Sequence, residues 1–210
     1  LAMGASFRHL NISGEDKFLG RGVSYCTTCD VPLFKDKIVA VVGGGDSALT
    51  GAIQAASFCS KVYLIHRRDE FRAEPAWTEK VRQNTKIELV LSTQVVEIRG
   101  ENKVEEIVLD KPYQGQQSLK VDGVFIEIGQ VPSSTLVSGL GVETDQQGFI
   151  LVNPGMETNV SGVFAAGDIA VVRGGVPFRQ FITAAADGAR AAASVYQYLH
   201  QSTPAPSWGK

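Results

Sequence analysis

Two cysteines three positions apart, Cys26 and Cys29, are the residues of this sequence best suited to redox chemistry. They stand in the run Tyr25-Cys26-Thr27-Thr28-Cys29-Asp30. Closely spaced cysteines can lower the pKa of one thiol, and the resulting thiolate attacks disulfides. Asp30 could donate or accept a proton during that exchange, or it could cap a turn. In a chain without secretory features, this spacing favours a redox or metal-binding role.

The same Cys-x-x-Cys spacing also occurs as half of a structural zinc site. Such a site needs two further ligands at short spacing, and the remaining candidates, Cys59, His9, His66 and His200, are scattered along the chain. We therefore expect no bound metal. Cys59 falls on the apolar face of a predicted helix and is expected to be an inert core thiol. A thioredoxin-fold oxidoreductase is disfavoured because the cysteine pair lies outside the β-α-β unit described next.

A glycine-rich turn connects a predicted strand, Lys37–Val42, to a predicted helix, Asp46–Phe58. A second apolar strand, Val62–Ile65, follows, and the three elements together have the size of a β-α-β unit. The turn reads Gly43-x-Gly45-x-x-Ala48, a pattern that lets a dinucleotide pyrophosphate approach the backbone and the helix N-terminus. A turn that serves packing alone is the alternative. The residues expected to contact the nucleotide are Gly43, Gly44, Gly45, Asp46, Ser47 and Ala48.

The end of the second strand indicates which dinucleotide binds. NAD sites usually carry an acidic residue about 20 positions after the glycines, which bonds the ribose 2′-hydroxyl, whereas this chain carries His66-Arg67-Arg68. Guanidinium groups form paired hydrogen bonds with phosphate oxygens, so they suit a 2′-phosphate. Arg72 could reach the same phosphate from the following turn. The alternative is a solvated basic patch offset by Asp69 and Glu70; we predict an NADPH site.

A flavin can join these two chemistries, because NADPH carries its electrons as hydride whereas thiol exchange proceeds through sulfur. Gly167 and Asp168 end a predicted apolar strand, Gly162–Asp168, ahead of an alanine-rich helix over Phe181–Leu199. That turn could hold the ribityl and phosphate region of a flavin, or it could be an ordinary strand-turn-helix connection.

The remaining elements place these turns on an α/β fold. Continuous apolar, β-branched runs such as Ile38–Val42 are typical of buried parallel strands. Residues Ser6–Gly22 show no helical or strand period and are predicted to be a connector. In chain order the other predicted elements are a helix over Glu74–Gln83, a strand over Ile87–Leu91, a small meander over residues 95–121 broken at Gly100, Lys111-Pro112 and Gln114-Gly115, a strand over Val124–Ile128 and a hinge over Gly129–Pro132.

The composition is that of an ordinary globular protein. The 210 residues are 44% hydrophobic and 20% charged, with a formal net charge of −2. This charge gives no reason to expect nucleic acid or a membrane surface as a partner, and no apolar run approaches the ~20 residues that cross a bilayer. Three cysteines are too few for a disulfide framework, and the N-terminus lacks the order of a signal peptide. These features predict a cytoplasmic location.

Together, these segments resemble the low-molecular-weight thioredoxin reductase family of NADPH- and FAD-dependent pyridine nucleotide-disulfide oxidoreductases. Tyr25–Asp30 resembles the family's redox segment, Val42–Ala48 its NADPH loop and His66–Arg72 its 2′-phosphate site. Gly162–Asp168 resembles its second FAD motif, and Arg179-Gln180-Phe181 the segment that lies against the flavin. The similarity follows the family's order along nearly the whole chain.

The resemblance implies an enzyme that passes electrons from NADPH through FAD to the Cys26–Cys29 disulfide and then to a thioredoxin-like protein. By family pattern Cys29 faces the flavin, Cys26 attacks the partner disulfide and Asp30 is the acid or base. The full-length protein would be a homodimer. Beyond the glycine turn, the implied cofactor-binding residues are His66, Arg67, Arg68, Arg72, Gly129, Gly167, Asp168, Arg179, Gln180 and Phe181. A peroxiredoxin or glutaredoxin-like acceptor, or a non-catalytic NADPH-binding redox sensor, are the alternatives.

The resemblance also predicts the domain organisation. A Rossmann-like three-layer NADPH-binding domain would cover residues 8–128 and carry the cysteine pair. Residues 1–7 and 129–200 would belong to a second, incomplete Rossmann-like FAD-binding domain. The two crossings would be Ser6–Arg8 and Gly129–Pro132, at which the family alternates between two domain orientations. Residues 201–210, rich in Ser, Thr and Pro, are predicted to be a disordered tail.

Two features depart from the family pattern. The family begins with an FAD fingerprint, whereas this sequence begins with Leu1-Ala2-Met3-Gly4-Ala5, which reads as the end of a strand entering a turn. We therefore expect an N-terminally truncated chain that binds NADPH but holds FAD weakly or not at all, an expectation that a stoichiometric flavin spectrum would contradict. The loop Val171–Pro177 is also longer and richer in glycine than the pattern suggests.

Overall fold

The computed structural model describes residues 1–133, 139–176 and 178–200. Within these ranges, no helix is both long and apolar enough to cross a membrane. The predicted tail, residues 201–210, and Pro177 of the predicted Val171–Pro177 loop lie outside the described residues.

The helices predicted over Asp46–Phe58 and Phe181–Leu199 are confirmed at both ends. The helices are α1 (Thr27–Asp30), α2 (Asp46–Phe58), α3 (Pro75–Gln83) and α4 (Phe181–Leu199), with 3-10 turns over Val31–Phe34 and Gly167–Ile169. The strands are β1 (Ala5–Phe7), β2 (Val23–Ser24), β3 (Ile38–Val42), β4 (Lys61–Ile65), β5 (Ile87–Val90), β6 (Val95–Arg99), β7 (Glu106–Tyr113), β8 (Gln116–Lys120), β9 (Gly123–Ile126), β10 (Gln130–Pro132), β11 (Ile150–Val152) and β12 (Ala170–Val172).

The chain divides into two compact units. The first runs from Phe7 to Gly129 and contains the cysteine pair, so we call it the dithiol unit. The second, the C-terminal unit, combines Leu1–Ser6 with the chain from Gln130 onward. The assignment of these units to NADPH and FAD stays a prediction.

The dithiol unit is built around a parallel five-stranded sheet in the order β2-β9-β3-β4-β5. Successive residues of a strand point to opposite faces of the sheet. Val39 and Val41 of β3 belong to an apolar cluster with α2, whereas Ala40 and Val42 belong to a cluster with the β6-β7-β8 sheet. Both faces of the central sheet are therefore covered, which explains the continuous apolar run of β3 and confirms the predicted three-layer α/β fold.

The predicted meander is an antiparallel sheet in the order β6-β7-β8. The expected break at Lys111-Pro112 is wrong, because β7 continues through both residues to Tyr113. The pairing of β7 with β8 is irregular between Val108 and Tyr113. Pro112 lies in this irregular stretch, where its missing N–H removes no regular ladder hydrogen bond.

The predicted connector over Ser6–Gly22 is more firmly held than its sequence indicates. Phe18 is buried in the core cluster, and Ser13 forms an isolated bridge with Glu97 of β6. Glu15 is also buried, with 2% of its surface exposed. Its first two residues, Ser6 and Phe7, belong to β1. From Arg8 onward the segment contains no helix or strand but is part of the packed dithiol unit.

The C-terminal unit has a smaller core. β11 pairs in parallel with β12, and Ile150 and Val152 pack with Met156, Ala165 and Ile169. The helix α4 has no buried residues among those described, in contrast to α2.

The prediction of a strand over Gly162–Asp168 is wrong. The segment contains an isolated bridge between Phe164 and Glu157 and then enters the 3-10 turn. Gly162 and Gly167 have φ angles of 77° and 76°. These left-handed conformations, which glycine adopts without steric cost, interrupt the extended path at both ends of the apolar run.

The expectation that Leu1–Ala5 is the end of a strand entering a turn is also wrong, since β1 begins at Ala5. Leu1 nevertheless lies alongside the segment just described. Its amino group donates to the carbonyl of Phe164 at 2.7 Å, and its carbonyl accepts from the N–H of Ala166 at 3.0 Å.

Candidate dithiol and nucleotide-binding site

The glycine turn after β3 is fitted closely to the protein at its first two positions. A Cβ atom on Gly43 would lie 2.3 Å from the Glu127 carbonyl oxygen, and one on Gly44 would lie 2.2 Å from the His66 ring. A Cβ on Gly45 would meet no atom within 4 Å. Packing therefore accounts for Gly43 and Gly44, and Gly45 is the glycine that faces open space.

The helix α2 begins directly at this open position. Asp46 and Ser47 are exposed, and Ala48 is buried against Gly43, as close helix-strand packing requires. The first-turn N–H groups of a helix have no partners within it and favour anions. The Asp46 carboxylate also accepts from the N–H of Glu74 at 2.8 Å. The start of α2 is thus tied to the chain that follows β4.

The basic segment His66–Arg72 lies beside the glycine turn. The Arg72 N–H donates to the Gly44 carbonyl at 2.8 Å, and the Arg68 carbonyl accepts from the Ser92 N–H at 3.0 Å. The side chains of Arg67, Arg68 and Arg72 are exposed. The backbone of the segment is therefore fixed to the turn while three guanidinium groups extend into solvent.

His66 has a different position from the arginines. Its ring is buried beneath Gly44 and stacks on Phe71, with ring centroids 5.6 Å apart. Burial lowers the pKa of His66, and its Nε2 has no hydrogen-bond partner in the described part of the chain. The imidazole therefore packs against the backbone of the glycine turn. Its contact with the cofactor stays a prediction.

The cysteine pair is a disulfide at the start of α1. The Cα atoms of Cys26 and Cys29 are 5.3 Å apart, and Cys26 is the N-cap, its sulfur accepting from the Cys29 N–H at 3.2 Å. Cys26 is half-buried and Cys29 is exposed. The Asp30 carboxylate accepts from the Ser24 hydroxyl at 2.7 Å and makes no capping hydrogen bond to the 3-10 turn that follows.

Glu127 is a residue of this site that the sequence interpretation missed. It follows β9, and its Oε1 accepts from both the N–H and the hydroxyl of Thr27, at 3.1 and 2.7 Å. Burial raises the pKa of Glu127, and the two hydrogen bonds from Thr27 oppose that shift. The sequence did contain a signal for it, because Glu127 is a charged residue inside the otherwise apolar run Val124–Ile128.

A second missed group surrounds Tyr25, the residue before Cys26. Its hydroxyl donates to Glu15 at 2.7 Å and lies 2.8 Å from His9 Nδ1, and its ring stacks on Phe7. Burial raises the pKa of Tyr25, as does its hydrogen bond to Glu15. We call His9, Glu15 and Tyr25 the tyrosine cluster; it holds the chain that leads into the disulfide.

Two further predicted residues of the dithiol unit lie outside the disulfide and the turn. Gly129 has a φ of 99°, and its carbonyl accepts from the Arg8 N–H at 3.0 Å. Cys59 follows the last residue of α2 and is 1% exposed, with its pKa raised to about 11 by burial, so the expected core thiol is confirmed. Within the described ranges, no group of three or more His, Cys, Asp or Glu side chains is placed to hold a metal ion.

The predicted flavin residues lie together in the C-terminal unit. The Arg179 guanidinium lies over the Phe149 ring at 3.6 Å, and its Nε donates to the Asp168 carbonyl at 3.2 Å. Burial lowers the pKa of Arg179. Gln180 caps α4, and Phe181, its first residue, is 90% exposed. Arg179 therefore joins the turn at Gly167–Asp168 to the segment that begins α4.

Comparison with known proteins agrees with this geometry. A family model described as "Pyridine nucleotide-disulphide oxidoreductase" matches residues 1–193. Thioredoxin reductases of Treponema pallidum (strain Nichols) and Bacillus subtilis (strain 168) are each 42% identical to the chain, over 95% and 96% of it. The chain spans 63% of the length of each of these relatives. The crystal structure of thioredoxin reductase from Streptococcus pyogenes MGAS5005 superposes with a TM-score of 0.84 at 38% identity, covering 95% of this chain and 64% of that one. The predicted resemblance to thioredoxin reductases is thereby confirmed.

Proposed function

The chain belongs to the pyridine nucleotide-disulphide oxidoreductase family, and from that premise we propose that it serves NADPH-dependent reduction of a thioredoxin-like protein through Cys26 and Cys29. The observation that carries the proposal is the disulfide itself. It lies at the N-terminus of a short helix, in the same unit as a glycine turn flanked by exposed arginines.

NADPH would bind at the glycine turn. The open side of Gly45 and the first turn of α2 suit the pyrophosphate, because a Cβ on Gly45 would meet no atom within 4 Å. Arg67 and Arg68, with Arg72, would bind the 2′-phosphate, because exposed guanidinium groups on a fixed backbone can form paired hydrogen bonds with it. The residues present therefore fit this cofactor.

FAD would bind beside Gly167–Asp168 and Arg179–Phe181, which the hydrogen bond from Arg179 to the Asp168 carbonyl joins. A carboxylate, a main-chain turn and an exposed aromatic ring suit the polar and aromatic parts of that molecule. When bound, a flavin supplies the exchange between hydride transfer and thiol chemistry. The residues of this chain would hold and orient it.

The dithiol would reduce its protein partner by exchange. A cysteine thiolate attacks the partner disulfide and forms a mixed disulfide, and the second cysteine then displaces the partner as a dithiol, so two electrons and two protons pass to it. The resemblance assigns the attack to Cys26 and proton transfer to Asp30, whereas in this oxidised structure Cys29 is the more exposed residue of the pair. Cys26→Ser and Cys29→Ser would identify the attacking residue, because only the variant that keeps it traps a mixed disulfide with thioredoxin.

The surface after the cysteines suits a protein acceptor. Pro32 and Leu33, three and four positions beyond Cys29, are both exposed, Leu33 to 81%. Contiguous exposed apolar surface is typical of protein contact sites. We propose a thioredoxin-like partner there, a homodimer for the full-length protein and a cytoplasmic location.

The proposal is tested by NADPH oxidation by the full-length protein, with FAD supplied and with thioredoxin present or absent. We expect oxidation that depends on thioredoxin, is lost in Cys26→Ser and Cys29→Ser and is retained in Cys59→Ala, which changes a cysteine of the core. If NADPH were oxidised with a peroxiredoxin or a glutaredoxin-like protein but not with thioredoxin, that protein would be the acceptor instead. Nucleotide binding without any thiol-coupled oxidation would favour a redox sensor.

A further inference from the structure

The helix that carries the cysteines depends on contacts outside itself. α1 contains four residues, Thr27–Asp30, and helices this short are not stable alone. Its first residue, Thr27, is 1% exposed. Thr27 packs on α2, where a Cβ on Gly51 would lie 2.9 Å from the Thr27 hydroxyl oxygen. On its other side Thr27 donates both hydrogen bonds to Glu127.

Glu127 contacts the nucleotide turn as well as α1. Its N–H donates to the Val42 carbonyl at 2.8 Å, and its own carbonyl occupies the space that a Cβ on Gly43 would need. One residue therefore joins the start of the cysteine-bearing helix to the start of the glycine turn. None of the ion pairs in the described part of the chain includes its carboxylate.

The position of this carboxylate bears on the charge of the reduced cysteines. Reduction of the disulfide takes up two electrons and two protons, and one of the resulting thiols reacts as a thiolate. N–H groups at a helix N-terminus stabilise such an anion, and Cys26 already accepts from the Cys29 N–H. Thr27, the residue covalently bonded to Cys26, instead directs its N–H to Glu127. A negative charge on Glu127 disfavours the thiolate form of the cysteines, because like charges repel. The Asp30 carboxylate, which accepts from the Ser24 hydroxyl, acts in the same direction.

We propose that Glu127 is a positioning residue for the dithiol. Through Thr27 it fixes the first turn of α1 against the glycine turn, and its negative charge disfavours the Cys26–Cys29 thiolate, which makes the dithiol a stronger reductant. This inference rests on the proposed redox role of the cysteine pair. It adds a residue that sets the driving force of that reaction.

The test is the thiol-disulfide equilibrium of the chain with dithiothreitol, which passes two electrons and two protons to the disulfide without NADPH or flavin. Glu127→Gln removes the charge but keeps an oxygen that can accept from Thr27. We expect its equilibrium constant for reduction to rise about tenfold, a midpoint potential about 30 mV less negative. The thiol pKa, from the pH dependence of alkylation, should fall with it.

Two further variants separate charge from structure. Thr27→Val removes the hydroxyl donor to Glu127 and should move the equilibrium in the same direction by a smaller factor. Glu88→Gln removes a carboxylate at the far edge of the same sheet and should change nothing. Wild-type values in both Glu127→Gln and Thr27→Val would overturn the proposal. A dithiol that equilibrates as expected but does not support thioredoxin-dependent NADPH oxidation would instead refute the proposed function alone.

Discussion

Removing the buried carboxylate of Glu15 is the perturbation with the most direct consequence for the chain that leads into Cys26. Oε1 accepts from the Leu10 N–H at 2.9 Å and the Tyr25 hydroxyl at 2.7 Å. Oε2 accepts from the N–H groups of Asn11 and Ile12 at 2.7 and 3.4 Å. In Glu15→Gln the amide oxygen can accept from one pair of these donors. The amide NH₂ then faces the other pair and cannot accept from them.

The size of the effect follows from these contacts. A hydrogen bond to a charged group contributes about 1.5–3 kcal/mol, and a buried donor left without a partner costs about 1–3 kcal/mol. Because the 3.4 Å contact is long, we expect Glu15→Gln to lower the free energy of unfolding by about 2–4 kcal/mol. Tyr25→Phe removes one donor and leaves the others paired, so it should cost about 1 kcal/mol.

Urea unfolding measures the global effect, and hydrogen exchange at Leu10, Asn11 and Ile12 measures the local one. Asp16→Asn is the matched control, because this neighbouring carboxylate is exposed. If Glu15→Gln unfolded within about 0.5 kcal/mol of Asp16→Asn, with the three amides still protected, the tyrosine cluster would not hold this segment.

Three other outcomes follow from the nucleotide turn. Gly44→Ala should destabilise the protein by about 1–3 kcal/mol, because its Cβ would lie 2.2 Å from the buried His66 ring; Gly45→Ala, in open space, is the control in urea unfolding. Replacing Arg67 and Arg68 by alanine should weaken NADPH binding about 10–100-fold and leave NADH binding within about twofold, measured by calorimetric titration; equal losses for both nucleotides would exclude a 2′-phosphate contact. The folded-state pKa of His66 lies below its usual 6.5 because of burial, so the contribution of the neutral imidazole to stability is present above pH 6.5 and is lost as the pH falls. The urea midpoint of the wild-type protein should therefore drop more steeply between about pH 7 and 5 than that of His66→Asn. Parallel pH profiles of the two midpoints would refute this.

The sequence was most informative where local pattern and burial agree. The run Ile38–Val42 is apolar on both faces, and a parallel strand covered on both sides accounts for that directly. The glycine turn and the period of α2 then placed the β-α-β unit. The same apolar content misled at Gly162–Asp168, because buried turns and strands are equally apolar and only the φ angles of the two glycines distinguish them.

The missed residues depend on contacts that are remote in sequence. Thr27 and Glu127 are 100 positions apart, and no local period connects them. The interpretation of the glycines was incomplete for a similar reason. Gly43 and Gly44 are required by Glu127 and His66, which follow the strands β9 and β4, so the role of each glycine emerges only in the folded unit.

The burial of Cys59 separates the cysteines into two classes that a thiol-specific reagent can distinguish. The chain has three cysteines, and in the native state only Cys26 and Cys29 reach the surface or its edge. A mild alkylating reagent should therefore find no reactive thiol in the oxidised protein and two in the reduced protein, while a third appears only on unfolding. The same titration therefore reports the redox state of the cysteine pair and the integrity of the fold together.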